Sequence, residues 1–219
     1  MNIALVVIAF NEAHRIGACL DSAGDIVDEV VVVDSGSTDD TVAIAKSKGA
    51  RVIQHPFEGH VEQKNFARKQ SKADWILSLD ADERLDELAR ASILQLKKEG
   101  PTAEVYGWKR LNHYGAKAIR HGAWYPDKKW RLWRADSGEW VGMNPHDAFE
   151  PKEGKRKVWL NGHLIHYSFS GSKDHKQKAG KFAEIAARAY WKAGKKAKIW
   201  DPVLHAASRF VRDLVLLQG

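Results

Sequence analysis

Four short apolar runs alternate with helical patterns over the first hundred residues, and this alternation constrains the fold most strongly. The runs are IALVVIAF (3–10), EVVVVD (29–34), RVIQH (51–55) and ADWILSLD (73–80). They are rich in β-branched residues, which predicts strands that are buried on both faces. Strands that alternate with helices predict a parallel sheet with helices on both of its sides.

The segments between these runs have helical spacing. They are EAHRIGACLDSA (12–23), STDDTVAIAKSKG (37–49), VEQKNFARKQS (61–71) and LDELARASILQLKKEG (85–100). Ser37 or Thr38 is the predicted N-cap of the second helix, and Gly49 its predicted end. In sheets of this kind the ligand binds beyond the carboxyl ends of the strands.

Three of the predicted strands end in acidic residues: Glu12 follows the first, Asp34 ends the second, and Asp80 and Asp82 follow the fourth. Residues two apart in a strand point to the same side, so the last two carboxylates should repel each other. A divalent cation completed by substrate phosphates would relieve that repulsion. The alternative is that these acids cap the helices that follow them.

Composition narrows the choice of partner. The 219 residues are 44% hydrophobic and 29% charged, which is typical of a globular protein. The net charge of +7 favours anionic partners such as nucleic acid, an anionic membrane or a phosphorylated substrate.

The single cysteine, Cys19, excludes an intrachain disulfide. Neither a secretory signal nor a stretch of about 18 apolar residues is present, so we expect a cytoplasmic protein.

Three motifs carry a family resemblance. VVIAFNE (6–12), VVVDSGSTDDT (31–41) and ILSLDADE (76–83) resemble, in order and spacing, the nucleotide-sugar signatures of family 2 glycosyltransferases. One departure is Ile8, which stands where the family usually has proline. The resemblance implies an α/β GT-A (Rossmann-like) fold: a mostly parallel sheet with helices on both faces, a mixed β acceptor region and C-terminal helices.

The resemblance also implies roles for individual residues. Ala9 and Glu12 would line the nucleotide pocket, and Asp34 would accept a hydrogen bond from the base, usually uracil. Asp80 would contact the ribose or a metal-bound water. Asp82 would ligate Mn²⁺ or Mg²⁺ on the diphosphate of a UDP-sugar.

Lys64 or Arg68 would add positive charge near that diphosphate, the alternative being an ordinary solvated position on the helix surface. A late histidine often joins the metal in this fold, and His166 is the candidate, with His163 nearby. The alternative for a single histidine in a strand is a structural role.

The region after residue 100 resembles the acceptor part of the family members that build lipopolysaccharide cores. EVYGWKRLNHYG (104–115) and KAIRHGAW (117–124) predict strands, and RLWR (131–134), WVG (140–142) and HD (146–147) carry the likeness. An inverting transferase needs one base, and Asp147 is the candidate. Glu139 and Glu150 are its rivals, and a turn position after Pro145 is the alternative for Asp147.

The C-terminal segment is basic and amphipathic. Lysines interleave with aromatic residues in RAYWKAGKKAKIW (188–200), which favours an anionic membrane surface or acceptor phosphates over a merely solvated helix. The last predicted helix presents apolar residues at helical spacing: Val203, Ala207, Phe210, Leu214 and Leu217.

Together these features predict three parts: residues 1–100 bind the nucleotide-sugar, residues 101–172 bind the acceptor, and residues 173–219 form the basic helical segment. The expected activity is metal-dependent, inverting sugar transfer to a lipopolysaccharide core or another lipid-linked saccharide, at the inner face of the cytoplasmic membrane and without a nucleic acid partner. The alternatives are a sugar nucleotidyltransferase, whose Gly-rich loop is missing, and a basic nucleic-acid-binding protein, which would leave the acidic strand ends unexplained. The oligomeric state stays open.

Overall fold

The computed structural model describes residues 1–144, 146–194 and 198–212. In this part of the chain the strands are β1 (Ile3–Ala9), β2 (Glu29–Asp34), β3 (Arg51–Gln54), β4 (Trp75–Asp80), β5 (Glu83–Leu85), β6 (Val105–Tyr114), β7 (Lys117–Ala118), β8 (Asp127–Arg134), β9 (Gly138–Met143), β10 (His146–Pro151) and β11 (Lys157–Phe169). The helices are α1 (Ala13–Asp21), α2 (Thr41–Ser47), α3 (His60–Arg68), α4 (Glu87–Glu99), α5 (Ser172–Lys192) and α6 (Asp201–Val211).

One large sheet organises the molecule, with strand order β3-β2-β1-β4-β8-β6-β11-β5 and β7 paired to β6. The first four strands in that order are parallel, as the alternation predicted. β8 runs antiparallel to β4 and β6, and β6 is parallel to β11. The sheet is therefore mixed beyond β4, and strands from before and after residue 100 share it. The predicted division into three parts stays a prediction.

Two apolar layers cover the sheet. α1, α2 and α4 pack on one face through residues such as Ile16, Ala45 and Ile93. On the other face α3 and the separate β9–β10 hairpin pack around Trp133 and Trp140. Helical cover on both faces, which the short apolar runs predicted, is thus confirmed.

The carboxyl ends of β1, β2 and β4 lie side by side, because Ala9 pairs with Asp34 and Ile8 pairs with Asp80. This register brings the three family motifs to one edge of the sheet. Candidate residues far apart in the chain therefore become neighbours there.

Two local predictions are wrong. α2 begins at Thr41, beyond the predicted caps, because Ser37 and Thr38 hydrogen-bond with Asn11 instead. KAIRHGAW contains only the two-residue β7 and a 3₁₀ turn. Glu83 lies in β5, a strand that sequence patterning missed because it is three residues long.

The C-terminal helices lie largely outside the core. α5 contacts the end of β11 through its first turns, where Lys178 donates to the Ser168 carbonyl at 2.9 Å. Neither α5 nor α6 contains a buried residue, and none of the described helices is long and apolar enough to cross a membrane. Two predicted apolar positions of the last helix, Leu214 and Leu217, lie outside the described residues.

Candidate functional site

The loops after β1 and β2 interlock at the edge of the sheet. Asn11 has a positive φ of 54°, a conformation that asparagine tolerates better than most residues. Its backbone N–H donates to Ser37 Oγ at 2.8 Å, and its Oδ1 accepts from the Thr38 N–H at 2.8 Å. These bonds fix the two turns that carry Glu12 and Asp34.

The Asp34 carboxylate holds its own loop. It is fully buried and accepts hydrogen bonds from the Gly36 N–H at 3.0 Å, from the Ser37 N–H at 2.8 Å and from the Ser37 hydroxyl. It could therefore reach a nucleotide base only after residues 35–38 had moved. Base recognition by Asp34 stays a prediction.

Glu12 lies at the first turn of α1, close to Asp82. Its backbone N–H donates to Thr41 Oγ1 at 2.8 Å, while the carbonyl of Ala9 accepts from the Ser35 N–H at 2.9 Å. Burial and then the Asp82 carboxylate raise the pKa of Glu12, although Arg15 opposes both effects. The motifs after β1 and β4 thus bring two acids close to each other.

Asp80 and Asp82 do not lie side by side on one strand as the sequence suggested, although the Asp80 carboxylate still acts to raise the pKa of Asp82. β4 ends at Asp80 and Asp82 lies in a turn, so the two side chains contact different partners. Asp80 faces Lys64 and Arg131, whereas Asp82 faces His166. Helix capping is also wrong for both residues, because Asp86 caps α4.

The strongest candidate for a metal site is the pair Asp82 and His166. Asp82 Oδ2 lies 3.3 Å from His166 Nε2. Asn112 orients the ring: its Nδ2 donates to the Trp124 carbonyl at 2.9 Å, so its Oδ1 accepts from His166 Nδ1 at 2.6 Å. With the proton on Nδ1, a neutral His166 presents its Nε2 lone pair to the Asp82 carboxylate.

This pair fits a divalent cation. A lone pair that faces a carboxylate is unfavourable until a proton or a cation lies between them. Because His166 Nε2 and Asp82 Oδ2 are 3.3 Å apart, both atoms could bind one small cation at about 2.1 Å each. Burial raises the pKa of the Asp82 carboxyl, but the charge and hydrogen bond that His166 supplies when it is protonated outweigh burial and leave that pKa below its usual value. No three side chains among His, Cys, Asp and Glu gather as a metal cluster in the described residues, so a substrate would have to supply further ligands.

Lys64 joins two of the candidate carboxylates. Its Nζ lies 2.7 Å from Asp80 Oδ1 and 2.7 Å from Asp147 Oδ2, with the ring of Trp140 4.4 Å away. The side chain is only 5% exposed, so the solvated alternative for Lys64 is wrong. Burial raises the pKa of Asp80, but Lys64 and Arg131 outweigh it and hold that pKa well below its usual value.

The ion pairs continue away from Asp80 as an alternating row. Arg131 Nη2 lies 2.8 Å from Asp80 and 2.7 Å from the fully buried Glu83. Glu83 also pairs with Arg110 at 3.2 Å, and Arg110 pairs with Asp127 at 2.6 Å. Arg131 reaches these acids from a register shift in β8, a bulge of the kind that redirects a side chain. Sequence reasoning missed this row, although RLWR pointed to Arg131.

Asp147 lies in β10 and pairs across the hairpin with Gly142. The alternative of a turn position for Asp147 is therefore wrong. Pro145 lies outside the described residues. Its rivals Glu139 and Glu150 pair with each other on the opposite face of the hairpin, because side chains alternate along a strand. Both are exposed and line a shallow cleft beside Arg68. Asp147 is thus the one of these three acids that contacts Lys64.

His60 is a neighbour of this cluster that the sequence analysis missed. It begins α3 next to Lys64 and Asp147, and its Nδ1 is buried without a hydrogen-bond partner in the described residues. Burial lowers the pKa of His60, although Asp147 opposes this, so the ring is neutral at pH 7. The only signal in the sequence was its place four residues before Lys64.

The profile of glycosyl transferase family 2 matches residues 4–157, which is most of the chain. The chain belongs to glycosyl transferase family 2. The matched range begins in β1 and ends in β11, so it includes both Asp82 and Asp147 but not His166. The family resemblance that the three motifs carried is confirmed.

Relatives of this family 2 chain come from several bacteria. An uncharacterized glycosyltransferase of Rickettsia felis is 55% identical over 83 residues, which are 38% of this chain and 29% of that protein. The chain thus spans less than a third of this relative. The lipopolysaccharide core biosynthesis glycosyltransferase LpsC of Rhizobium meliloti is 27% identical over 94% of this chain and 78% of its own length.

Solved structures also resemble this family 2 chain. S. aureus TarS has a TM-score of 0.46 and 22% identity, over 62% of this chain and 28% of that one. Glucosyl-3-phosphoglycerate synthase from Mycobacterium tuberculosis, in complex with Mn²⁺ and UDP-glucose, has a TM-score of 0.42 and 27% identity, over 51% and 44%. With TM-scores below 0.5, neither neighbour fixes the position of a ligand in this chain.

Proposed function

We propose that this chain is a metal-dependent, inverting glycosyltransferase that moves a sugar from a UDP-sugar to a lipid-linked saccharide such as a lipopolysaccharide core. The observation that carries the proposal is the contact between Asp82 and His166, with the ring orientation set by Asn112. Family membership and the position of this pair at the carboxyl ends of the strands support it.

Asp82 and His166 would hold Mn²⁺ or Mg²⁺ together with the diphosphate of the donor. The bound cation would neutralise charge that develops on the departing nucleoside diphosphate. Ala9, Glu12 and Asp34 would surround the nucleoside at the neighbouring strand ends. Asp80, already paired with Lys64, would face the ribose side of the donor and keep that ammonium close to the diphosphate.

Asp147 would be the general base. Asp80, Lys64 and Asp147 together carry one net negative charge, because one ammonium lies between two carboxylates. When Asp147 takes the proton of the acceptor hydroxyl, the group becomes neutral while Lys64 keeps its pair with Asp80. A single carboxylate acting in one displacement predicts inversion at the anomeric carbon.

The proposed acceptor is lipid-linked because the C-terminal helices expose an unusual apolar and basic surface. Trp191 is 84% exposed, and Trp200, Leu204 and Phe210 are also exposed. The lysines of α5 lie on both sides of Trp191 in the sequence, and lysine beside exposed aromatic residues suits a bilayer with anionic headgroups. We therefore propose that the enzyme acts at the inner face of the cytoplasmic membrane. The similarity to LpsC, a lipopolysaccharide core biosynthesis glycosyltransferase, supports a lipopolysaccharide core as the acceptor.

Calorimetry with UDP tests the donor site directly. We expect UDP to bind only with Mn²⁺ or Mg²⁺ and more tightly than GDP, and Asp82→Asn to weaken metal-dependent binding at least tenfold, about 1.4 kcal/mol. Asp136→Asn, the same change at an exposed acid, is the matched control. Unchanged metal-dependent affinity in Asp82→Asn would contradict the proposed donor site, and ADP binding as tight as UDP would contradict the preference for uridine.

Vesicle sedimentation tests the membrane surface. The chain should sediment with phosphatidylglycerol vesicles and not with phosphatidylcholine vesicles. Replacing Trp191 and Trp200 by serine should reduce sedimentation at least fivefold, whereas Leu94→Ser, at an exposed apolar position on α4, should not. Equal binding to both vesicle types, or binding of RNA in preference to either, would contradict the membrane assignment.

A further inference from the structure

Two tryptophans stack on the sheet at a distance from the proposed donor site. Trp130 of β8 and Trp159 of β11 lie with ring centroids 3.6 Å apart and planes inclined by 17°. They meet over Gly107 of β6, which pairs with both of them. A Cβ at Gly107 would lie 2.6 Å from Trp159 and 2.7 Å from Trp130, so only glycine leaves room for the two rings.

This stack is open to solvent. Trp159 is 41% exposed, although indoles are usually well buried in a protein of this size. Trp130 is half-buried and rests against the core layer formed by α3 and the hairpin. The ring of Trp130 thus supports the ring of Trp159, which presents a flat apolar face to solvent.

Three lysines surround the exposed ring. Lys109 and Lys128 lie directly opposite each other on the antiparallel pair β6–β8, and Lys128 Nζ is 5.2 Å from the Trp159 centroid. Lys157 precedes Trp159 by two residues and shares its side of β11. We call Trp130, Trp159, Lys109, Lys128 and Lys157 the tryptophan ledge.

The charges of the ledge are uncompensated. In the described ranges, none of its three ammonium groups has a carboxylate within 4.0 Å. On the opposite face of the same strands, by contrast, Arg110 and Lys129 both pair with Asp127. Like charges directly opposite each other in a sheet are destabilising. The unfavourable pair of Lys109 and Lys128 beside the exposed ring of Trp159 therefore indicates a binding site for an anionic ligand.

We propose that the tryptophan ledge binds an anionic saccharide. The apolar C–H face of a pyranose ring matches the face of an indole, and phosphate or carboxylate groups on the saccharide would pair with the lysines. The ledge lies on the same face of the sheet as Trp140, the ring beside Lys64. Asn112, whose side chain points to the opposite face, marks the end of β6 nearest the proposed metal pair, and Gly107 precedes it by five residues, or about 17 Å of strand. An oligosaccharide spans that distance and a monosaccharide does not.

The ledge would therefore hold a distal part of the acceptor, while its end is presented to Asp147. This reading rests on the proposed glycosyl transfer. Single-stranded nucleic acid, whose bases also stack on indoles, is the competing class of ligand. The observations favour a saccharide because family membership links the chain to sugar transfer.

NMR of the indole N–H signals tests the ledge in the full chain, with Trp159→Phe used to assign the Trp159 signal. The probes are an alginate hexasaccharide, which carries carboxylates, uncharged maltohexaose and a decamer of deoxythymidine. We expect the alginate hexasaccharide to shift the Trp159 signal. Trp159→Ala should weaken its binding at least tenfold, and the double change Lys109→Gln and Lys128→Gln should do the same.

Matched controls are Phe57→Ala, at another exposed aromatic ring, and the double change Lys69→Gln and Lys72→Gln, which removes the same charge elsewhere. Both should change affinity less than twofold. Equal binding of maltohexaose, tighter binding of the deoxythymidine decamer, or an unmoved Trp159 signal would each overturn the proposal. The lysine variant keeps the test decisive if Trp159→Ala fails to fold.

UDP calorimetry on the same variants separates this proposal from the proposed function. Neither ledge variant should change UDP affinity, because the ledge lies away from Asp82 and His166. A chain that binds UDP with metal but no anionic saccharide refutes the ledge alone. A chain that binds the saccharide but no UDP refutes the proposed transfer and leaves saccharide binding at the ledge intact.

Discussion

Replacing Lys64 by methionine removes the cation between Asp80 and Asp147 while keeping a side chain of similar length. Both ion pairs are 2.7 Å long and Lys64 is 5% exposed, so little water can compensate the loss. Breaking one side of a buried ion pair costs about 3–5 kcal/mol. Because Asp80 keeps its contact with Arg131, we expect the lower end of that range, about 3 kcal/mol of unfolding free energy at pH 7.

The loss of unfolding free energy in Lys64→Met should depend on pH in a defined direction. In the parent chain the lowered pKa of Asp80 contributes stability that is present above the unfolded value of about 3.9 and lost as the pH falls through the lowered value. Without Lys64 the folded Asp80 carboxyl should take up its proton at a higher pH. The difference between the two proteins should therefore be full at pH 7 and shrink below about pH 4.

Urea denaturation followed by far-ultraviolet circular dichroism measures this difference at pH 7, 5 and 3. Lys69→Met, at the exposed position directly after the last residue of the same helix, is the control and should change stability by less than about 0.5 kcal/mol. A deficit below about 1 kcal/mol at pH 7, or one that stays constant down to pH 3, would refute the view that Lys64 is held by these two carboxylates.

Three further predictions concern the site and the sheet. Asp147→Asn should lower sugar transfer by about 10²–10⁴-fold in a product assay, with UDP affinity unchanged; near-normal turnover would exclude Asp147 as the base. Asn112→Leu should release the ring of His166 and weaken metal-dependent UDP binding about tenfold or more by calorimetry, while metal-independent binding stays the same. Gly107→Ala should destabilise the fold by about 1–3 kcal/mol in urea titrations, because its Cβ would collide with backbone and both indoles, whereas Gly180→Ala, with open space around it, should not destabilise.

Much of the candidate site could be predicted because its residues follow buried strands. Asp34 and Asp80 end β2 and β4, and the parallel register brings those ends together. The partner of each acid could not be predicted in the same way. That Asp82 faces His166, 84 residues later, depends on β11 lying against β5 and on Asn112 of β6 turning the ring.

The sequence by itself determined the strand–helix alternation, because burial of β-branched runs and helical spacing are local patterns. It also determined the family, through motifs that lie within single loops. Only the tertiary structure decided that Lys64 is buried between Asp80 and Asp147, that Glu83 lies inside the sheet, and that Arg131 reaches both Asp80 and Glu83. Apart from the Lys64–Asp80 pair, those contacts join residues about 50 to 80 positions apart. They therefore depend on strand order, register and a bulge in β8, which hydrophobic periodicity does not reveal.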